Sequence, residues 1–147
     1  MTKLTAQGCE LCNPDSEQIL WQDGFCRVVL LDEPGYPGLC RVILEQHISE
    51  MSDLSAPERA RLMDAVFATE AALRAVLVPD KINLASLGNA VAHLHWHVIP
   101  RYRDDPHFPR PIWAEPCRSA SAIHGTPDIE RLARSLYQHL SRYSLAT

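Results

Sequence analysis

Three histidines alternate with apolar residues in the segment His93-Leu-His-Trp-His-Val98. In an extended strand, alternate side chains share one face and lie about 7 Å apart. The pattern therefore predicts His93, His95 and His97 on one face and Leu94, Trp96 and Val98 on the other. As core filling, three imidazoles would each need a buried polar partner. Near neutral pH they act as nucleophiles or metal ligands, so the strand predicts a phosphate-handling site or a metal site.

A second group with chemical potential lies near the N-terminus, where Cys9 and Cys12 form a C-x-x-C pair. Two thiolates at this spacing can chelate one metal ion, although two further ligands are needed. The chain has five cysteines, an odd number, and only this pair is closely spaced. That arrangement favours a metal site or buried thiols over a disulfide framework.

The elements that must position these groups can be predicted from hydrophobic periodicity and turn signals. Asp23-Gly24 predicts a hairpin turn between strands 17–22 and 25–31, and a third strand, 39–45, follows the Pro- and Gly-rich loop 32–38. Ser55-x-x-Glu58 is a capping box, and the apolar residues after it recur at helical spacing over 56–77. Two further strands are expected at 81–87 and 93–99, and a last helix at 128–142.

Length and composition restrict the class of protein. With 147 residues, the chain is expected to form a single domain, 1–147, with a core at about 9–113. A net charge of −4 argues against nucleic acid as a partner. No apolar run approaches the length of a membrane span, and the N-terminus lacks the apolar region of a signal peptide. We therefore expect a cytoplasmic protein that does not bind membranes.

The segment from His93 to Ile99 resembles the H-φ-H-φ-H-φ-φ signature of the histidine triad (HIT) family, where φ is an apolar residue. The predicted order of elements over residues 9–101 is similar to that family as well. The resemblance implies an α+β fold: a five-stranded antiparallel sheet, a long helix after strand 3 and a C-terminal helix. It also implies a homodimer.

The resemblance further implies a mechanism in which His95 attacks a phosphorus atom and water resolves the resulting nucleotidyl-histidine. The backbone carbonyl of His93 would hold the His95 Nδ1–H, and His97 would donate a hydrogen bond to oxygens of the phosphate or leaving group. Two-step displacement through an imidazole is plausible on chemical grounds as well. No cofactor is needed for this chemical step, and a purine nucleotide is the expected substrate.

Three residues are expected to bind substrate. Asp32 corresponds to a residue that contacts the ribose hydroxyls in the family, and Asn89 to an amide residue beside the phosphate. The ending His97-Val-Ile-Pro-Arg101 resembles the bacterial dinucleoside polyphosphate hydrolase branch, and Arg101 is expected to meet phosphate. Ala90 lacks the hydroxyl found in the nucleoside phosphoramidase branch.

Two other positions depart from, or add to, the family pattern. Leu39 stands where many relatives have a fourth histidine. After the triad, the polar loop 101–116 is longer than a plain connection needs, which suggests a part in the site. Its Arg103, His107, Arg110 and Trp113 are candidates for contacts with outer phosphates or a second nucleoside.

In zinc-bearing relatives the remaining metal ligands are a histidine after strand 3 and the first triad histidine. The resemblance therefore implies a zinc site of Cys9, Cys12, His47 and His93. Four protein ligands leave no open position, so such a zinc would be structural.

Four hypotheses stay open at this point. The first is hydrolysis of purine dinucleoside polyphosphates through nucleotidyl-His95, and the second is phosphoramidate hydrolysis at the same site. The third is a nucleotide-binding module with little turnover. The fourth is a catalytic metal site built from the same histidines and cysteines.

Overall fold

The computed structural model describes residues 5–119 and 124–144. Its strands are β1 (Gln18–Gln22), β2 (Cys26–Leu30), β3 (Cys40–Leu44), β4 (Lys81–Ala85) and β5 (His95–Arg101), and its helices are α1 (Ala56–Leu77) and α2 (Ile129–Ser144). Short 3-10 helices cover Glu10–Cys12 and Met51–Asp53. The strands form one antiparallel sheet in the order β1-β2-β3-β5-β4. The predicted α+β fold is thus confirmed.

The predicted local signals account for the first elements. Gly24 has a φ of +73°, and the Asp23 carboxylate accepts hydrogen bonds from the N–H groups of Phe25 and Cys26, which closes the β1–β2 hairpin. Helix α1 has the predicted bounds, and its start is explained by the capping box, in which Ser55 and Glu58 form both bonds.

The sheet has one face towards the helices and one face with polar groups. The first face carries Val28, Val42 and Val98, which are fully buried in the main core with residues of α1 and α2. The opposite face carries His95 and His97 beside Arg41. Side-chain alternation along β3 and β5 produces this separation.

The last two strands differ from the predicted bounds. β5 begins at His95 rather than at residue 93, because Leu94 instead donates its N–H to the carbonyl of Ile48 at 2.7 Å. β4 ends at Ala85 rather than at residue 87, and the Ser86 hydroxyl donates to the carbonyl of His95 at 2.8 Å. His93 therefore lies outside the regular strand that carries the other two histidines.

The single-domain prediction for residues 1–147 includes 1–4, 120–123 and 145–147, which lie outside the described residues. Within the described ranges, no helix has the length and apolar character needed to cross a membrane.

Candidate active site and metal cluster

His95 and His97 lie side by side on the polar face of the sheet. Their ring centroids are 5.1 Å apart, and the rings meet edge to face at 73°. Both side chains are largely buried, with 7% of each residue exposed. Two imidazoles at this separation can contact the same phosphoryl group.

The hydrogen bond of His95 determines its tautomer. Its Nδ1 lies 2.6 Å from the backbone carbonyl of His93, the contact predicted from the resemblance. Since a carbonyl can only accept, Nδ1 carries the proton and Nε2 keeps its lone pair. Burial lowers the pKa of His95, which favours the neutral, nucleophilic form at pH 7.

His97 is held in the neutral form still more strongly. Burial, followed by the charges of His95 and Arg41, lowers its pKa to about 4. A neutral imidazole still has one N–H group, so His97 can donate a hydrogen bond to a phosphate oxygen at pH 7.

An open cleft of about 290 Å³ lies over these two histidines. Its polar and aromatic lining residues include Glu10, Arg41, Asn89, His95, His97 and Trp113. The indole of Trp113 meets the His97 ring edge to face, with centroids 5.1 Å apart. The long loop after β5 therefore reaches the cleft through its tryptophan, as the sequence suggested.

The four predicted metal ligands form a second cluster behind His95. The donor atoms of Cys9, Cys12, His47 and His93 lie within 4.8 Å of one another. The His93 Nδ1 is 3.5 Å from each sulfur and 3.3 Å from the His47 Nδ1. The short helix Glu10–Cys12 brings both thiols to one side of the histidines.

The geometry of the cluster and the tautomer of His93 fit a tetrahedral metal ion. Ligand bonds of 2.0–2.3 Å would separate neighbouring donor atoms by about 3.3–3.8 Å, close to the distances found. The His93 Nε2–H donates to the carbonyl of Leu44 at 2.6 Å, so Nδ1 has the free lone pair that a metal needs. The sulfurs and ring nitrogens are donors that zinc prefers.

Two residues expected to bind substrate lie elsewhere. Asp32 is exposed and lines a different cavity, of about 540 Å³, beside Leu31. Arg101 is 2% exposed, and its guanidinium donates to Asp105, Asn83 and the carbonyl of Arg110. A guanidinium with its donors already bound has a structural role, so the geometry argues against phosphate binding by Arg101.

Two other candidates from the loop after β5 have contacts within the protein, His107 through its ring and Arg103 through its backbone. The Tyr36 hydroxyl bonds to the His107 ring, and the backbone N–H of Arg103 donates to Asp80. Leu39, in place of the family histidine, is buried against Tyr36 and Ile99. Apolar packing thus fills that position.

Sequence reasoning did not identify Arg41 and Glu10 as cleft residues. Arg41 could have been found, because it is the one charged side chain within the strand Cys40–Leu44, where alternation turns it away from the core. Glu10 lies between the two cysteines, and only the folded position of that segment brings it to the cleft.

Comparison with known proteins identifies the family. The HIT domain family matches residues 14–104. The chain belongs to the HIT family. Membership implies nucleotide binding or a hydrolase or transferase activity. A search of curated proteins found no match for this HIT protein.

Solved structures agree with this assignment. A histidine triad protein from Marinobacter aquaeolei VT8 has 26% identity and a TM-score of 0.67, with 92% of this chain and 96% of that chain covered. A histidine triad protein from Sinorhizobium meliloti has 26% identity and a TM-score of 0.65, with 84% of this chain and 89% of that chain covered. A zinc-bound family protein from Mycobacterium smegmatis shares the fold at 21% identity and a TM-score of 0.55, with coverages of 95% and 98%.

Proposed function

We propose that this HIT protein cleaves purine nucleotide derivatives at the α-phosphate through a covalent nucleotidyl-His95 intermediate. The observation that carries the proposal is the 2.6 Å hydrogen bond from His95 Nδ1 to the His93 carbonyl. It leaves the Nε2 lone pair of a cleft histidine available for attack.

In the first step, the Nε2 lone pair of His95 forms a bond to the α-phosphorus. The bond from phosphorus to the leaving-group oxygen breaks, and that oxygen takes the electron pair. His97 donates a hydrogen bond to an oxygen whose negative charge grows in the transition state. In the second step, water attacks phosphorus, the P–N bond breaks and its electron pair returns to Nε2; the water proton leaves to solvent.

For the substrate class we propose dinucleoside polyphosphates. A phosphate leaving group departs as an anion and needs no added proton, whereas an amine must be protonated to leave. Ala90, which lines the cleft, has no hydroxyl to deliver that proton. Asn89, which lines the cleft, is proposed to bind phosphate. Asp32 lines a separate cavity, so we do not propose that it binds the ribose of this nucleotide. The purine preference follows from the family resemblance.

We further propose that zinc is bound by Cys9, Cys12, His47 and His93. The ion would join the N-terminal segment to the sheet and fix the backbone of His93, whose carbonyl orients His95. All four positions are protein ligands, so the role is structural. A reducing compartment such as the cytoplasm, where we place the protein, would keep both thiols available.

We also propose a homodimer. β4 forms one end of the sheet, and Leu87 and Trp113, each 52% exposed, border a cavity beside it. Exposed apolar side chains next to an edge strand favour association with a second copy. Light scattering after size-exclusion chromatography would measure the mass directly.

The test of function is AMP release from diadenosine tetraphosphate and from adenosine phosphoramidate, measured side by side. His95→Ala should abolish turnover, whereas His139→Ala, a histidine on α2 outside the cleft, should leave it unchanged. Rapid quenching in alkali, with substrate labelled in its AMP moiety, should trap label on the wild type and none on His95→Ala, because the P–N bond of a nucleotidyl-histidine survives alkali.

Each outcome has a distinct meaning. Polyphosphate turnover that is lost in His95→Ala supports both the nucleophile and the substrate class. A preference for the phosphoramidate would contradict the substrate class alone. Full activity of His95→Ala would overturn the mechanism, and nucleotide binding without turnover would favour a binding module.

A further inference from the structure

The polar face of the sheet carries three arginines, one on each of β2, β3 and β5, and their partners differ. Arg27 donates to Glu17, Glu45 and the carbonyl of Leu11. Arg101 is bound to Asp105, Asn83 and a backbone carbonyl. These two guanidinium groups are therefore fully explained by the fold.

Arg41 is different. Its Nε is buried and has no hydrogen-bond partner, and within residues 5–119 and 124–144 no carboxylate forms an ion pair with it. A buried donor without a partner costs folding free energy. Such a group is retained where a ligand supplies the missing acceptor.

The register of the sheet places Arg41 directly beside the reactive histidines. On β3, Arg41 is the cross-strand partner of His97, and Ile43 is the partner of His95. Side chains of directly paired residues share a face, with Cβ atoms about 5 Å apart.

We infer that Arg41 binds the phosphoryl group that His95 attacks, and so sets the preference of the cleft for anionic nucleotides. The inference rests on the proposed function, since it assigns a phosphate-binding residue within the same cleft. A guanidinium matches two phosphate oxygens at once, with Nε and a terminal nitrogen as parallel donors. The unpartnered Nε supplies one donor of that pair.

The neighbours of Arg41 support a ligand rather than a protein partner. On the other side in the sheet its cross-strand partner is Val29, which offers no acceptor side chain. Glu10 lines the same cleft, but it is exposed and makes no ion pair with Arg41. The cleft itself is where an acceptor can enter.

The inference is tested by calorimetric binding of AMP and of adenosine, which differ by the phosphate alone. AMP is a product of the proposed reaction, so binding is measured without turnover. Arg41→Gln should weaken AMP binding about tenfold to a hundredfold, the range expected for loss of a hydrogen bond to a charged group. Adenosine binding should change less than about twofold, within the ordinary effect of a substitution that removes no contact.

Three further variants make the test specific. Arg41→Leu suits the apolar neighbours Val29 and Ile43, so we expect it to fold and to weaken AMP binding as Arg41→Gln does. Arg41→Lys keeps the positive charge but lacks the two parallel N–H donors of a guanidinium. Its affinity for AMP should therefore lie between that of these variants and that of the wild type. Arg134→Gln, an exposed arginine on α2, is the matched control and should bind AMP as the wild type does.

Equal weakening of AMP and adenosine, or no weakening of AMP, would overturn the inference. A loss of affinity confined to ADP and ATP, with AMP binding unaffected, would also overturn it, because the guanidinium would then contact the outer phosphates. If Glu10→Gln cancelled the effect of Arg41→Gln, Arg41 would merely balance that carboxylate. A wild type that releases no AMP from any substrate would refute the proposed function, yet the AMP and adenosine comparison would still decide this inference.

Discussion

Asp105 organises the loop after β5, and its removal should cost substantial stability. Its carboxylate accepts hydrogen bonds from Arg101 and from the backbone N–H groups of Tyr102, His107 and Phe108. It is 4% exposed, and Arg101 is 2% exposed. The perturbation is Asp105→Asn, which preserves the shape of the side chain and removes its charge.

The expected loss of stability follows from the Arg101 charge that remains buried once Asp105 has lost its own charge. Removal of one partner from a buried ion pair costs about 3–5 kcal/mol, because the other charge stays buried without compensation. Burial would raise the pKa of Asp105, but the hydrogen bonds from Arg101 and the backbone lower it to about 2. Relative to the ordinary value of 3.8, that shift alone corresponds to about 2 kcal/mol of stability at pH 7.

The pH dependence provides a second readout with a defined sign. A carboxyl whose folded pKa is lowered stabilises the protein above its unfolded pKa of 3.8, and this contribution is lost as the pH falls towards 2. The difference in unfolding free energy between wild type and Asp105→Asn should therefore be largest at pH 5–7 and should become smaller below pH 4.

The assay is urea unfolding at one fixed protein concentration, at pH 7 and at pH 3.5. Asp104→Asn is the matched control, because Asp104 is exposed and its one described ion pair is with His124. We expect the free energy of unfolding to fall by at least about 3 kcal/mol for Asp105→Asn and by less than about 1 kcal/mol for the control. Equal losses for the two variants, or a difference from wild type that grows at low pH, would refute this reasoning.

Three further results are expected. Cys12→Ser should lower both the metal content measured by elemental analysis and the midpoint of thermal unfolding, whereas Cys117→Ser, an exposed thiol outside the cluster, should change neither. The His97 ring should titrate by NMR with a midpoint near 4, so it stays neutral at pH 6; a midpoint near 6.5 would contradict the role of burial. Ala90→Ser should raise phosphoramidate turnover relative to polyphosphate turnover, and an unchanged ratio would remove the argument from the missing hydroxyl.

The sequence predicts the architecture well because local signals and periodicity agree. The capping box of Ser55 and Glu58 gives α1 its observed start, and the Asp23-Gly24 turn places the first hairpin. Turn chemistry and alternation act over a few residues, so they can be read without tertiary information. The set of metal ligands, which came from the resemblance, also lies together in the structure.

The partners of charged side chains could not be predicted in the same way. Arg101 and Asp105 are four residues apart, but only the path of the loop after β5 turns the carboxylate back onto the guanidinium. The sequence predicts Arg101 at the phosphate, whereas among the described arginines on the polar face of the sheet it is Arg41 whose buried Nε has no partner. Which of several arginines keeps free donors depends on contacts between distant segments, and these are fixed only in the folded chain.

His93 connects the metal cluster to the proposed nucleophile because it uses three separate groups. Its Nδ1 faces the cysteines, its Nε2–H donates to the Leu44 carbonyl, and its own carbonyl accepts from His95. A residue inside a regular strand could not do this, since its carbonyl would be directed to a neighbouring strand. The start of β5 at His95 is therefore part of the site: it frees the His93 carbonyl for the ring two residues later. Any change that extends β5 back to residue 93 should disturb the His95 tautomer, even with all three histidines present.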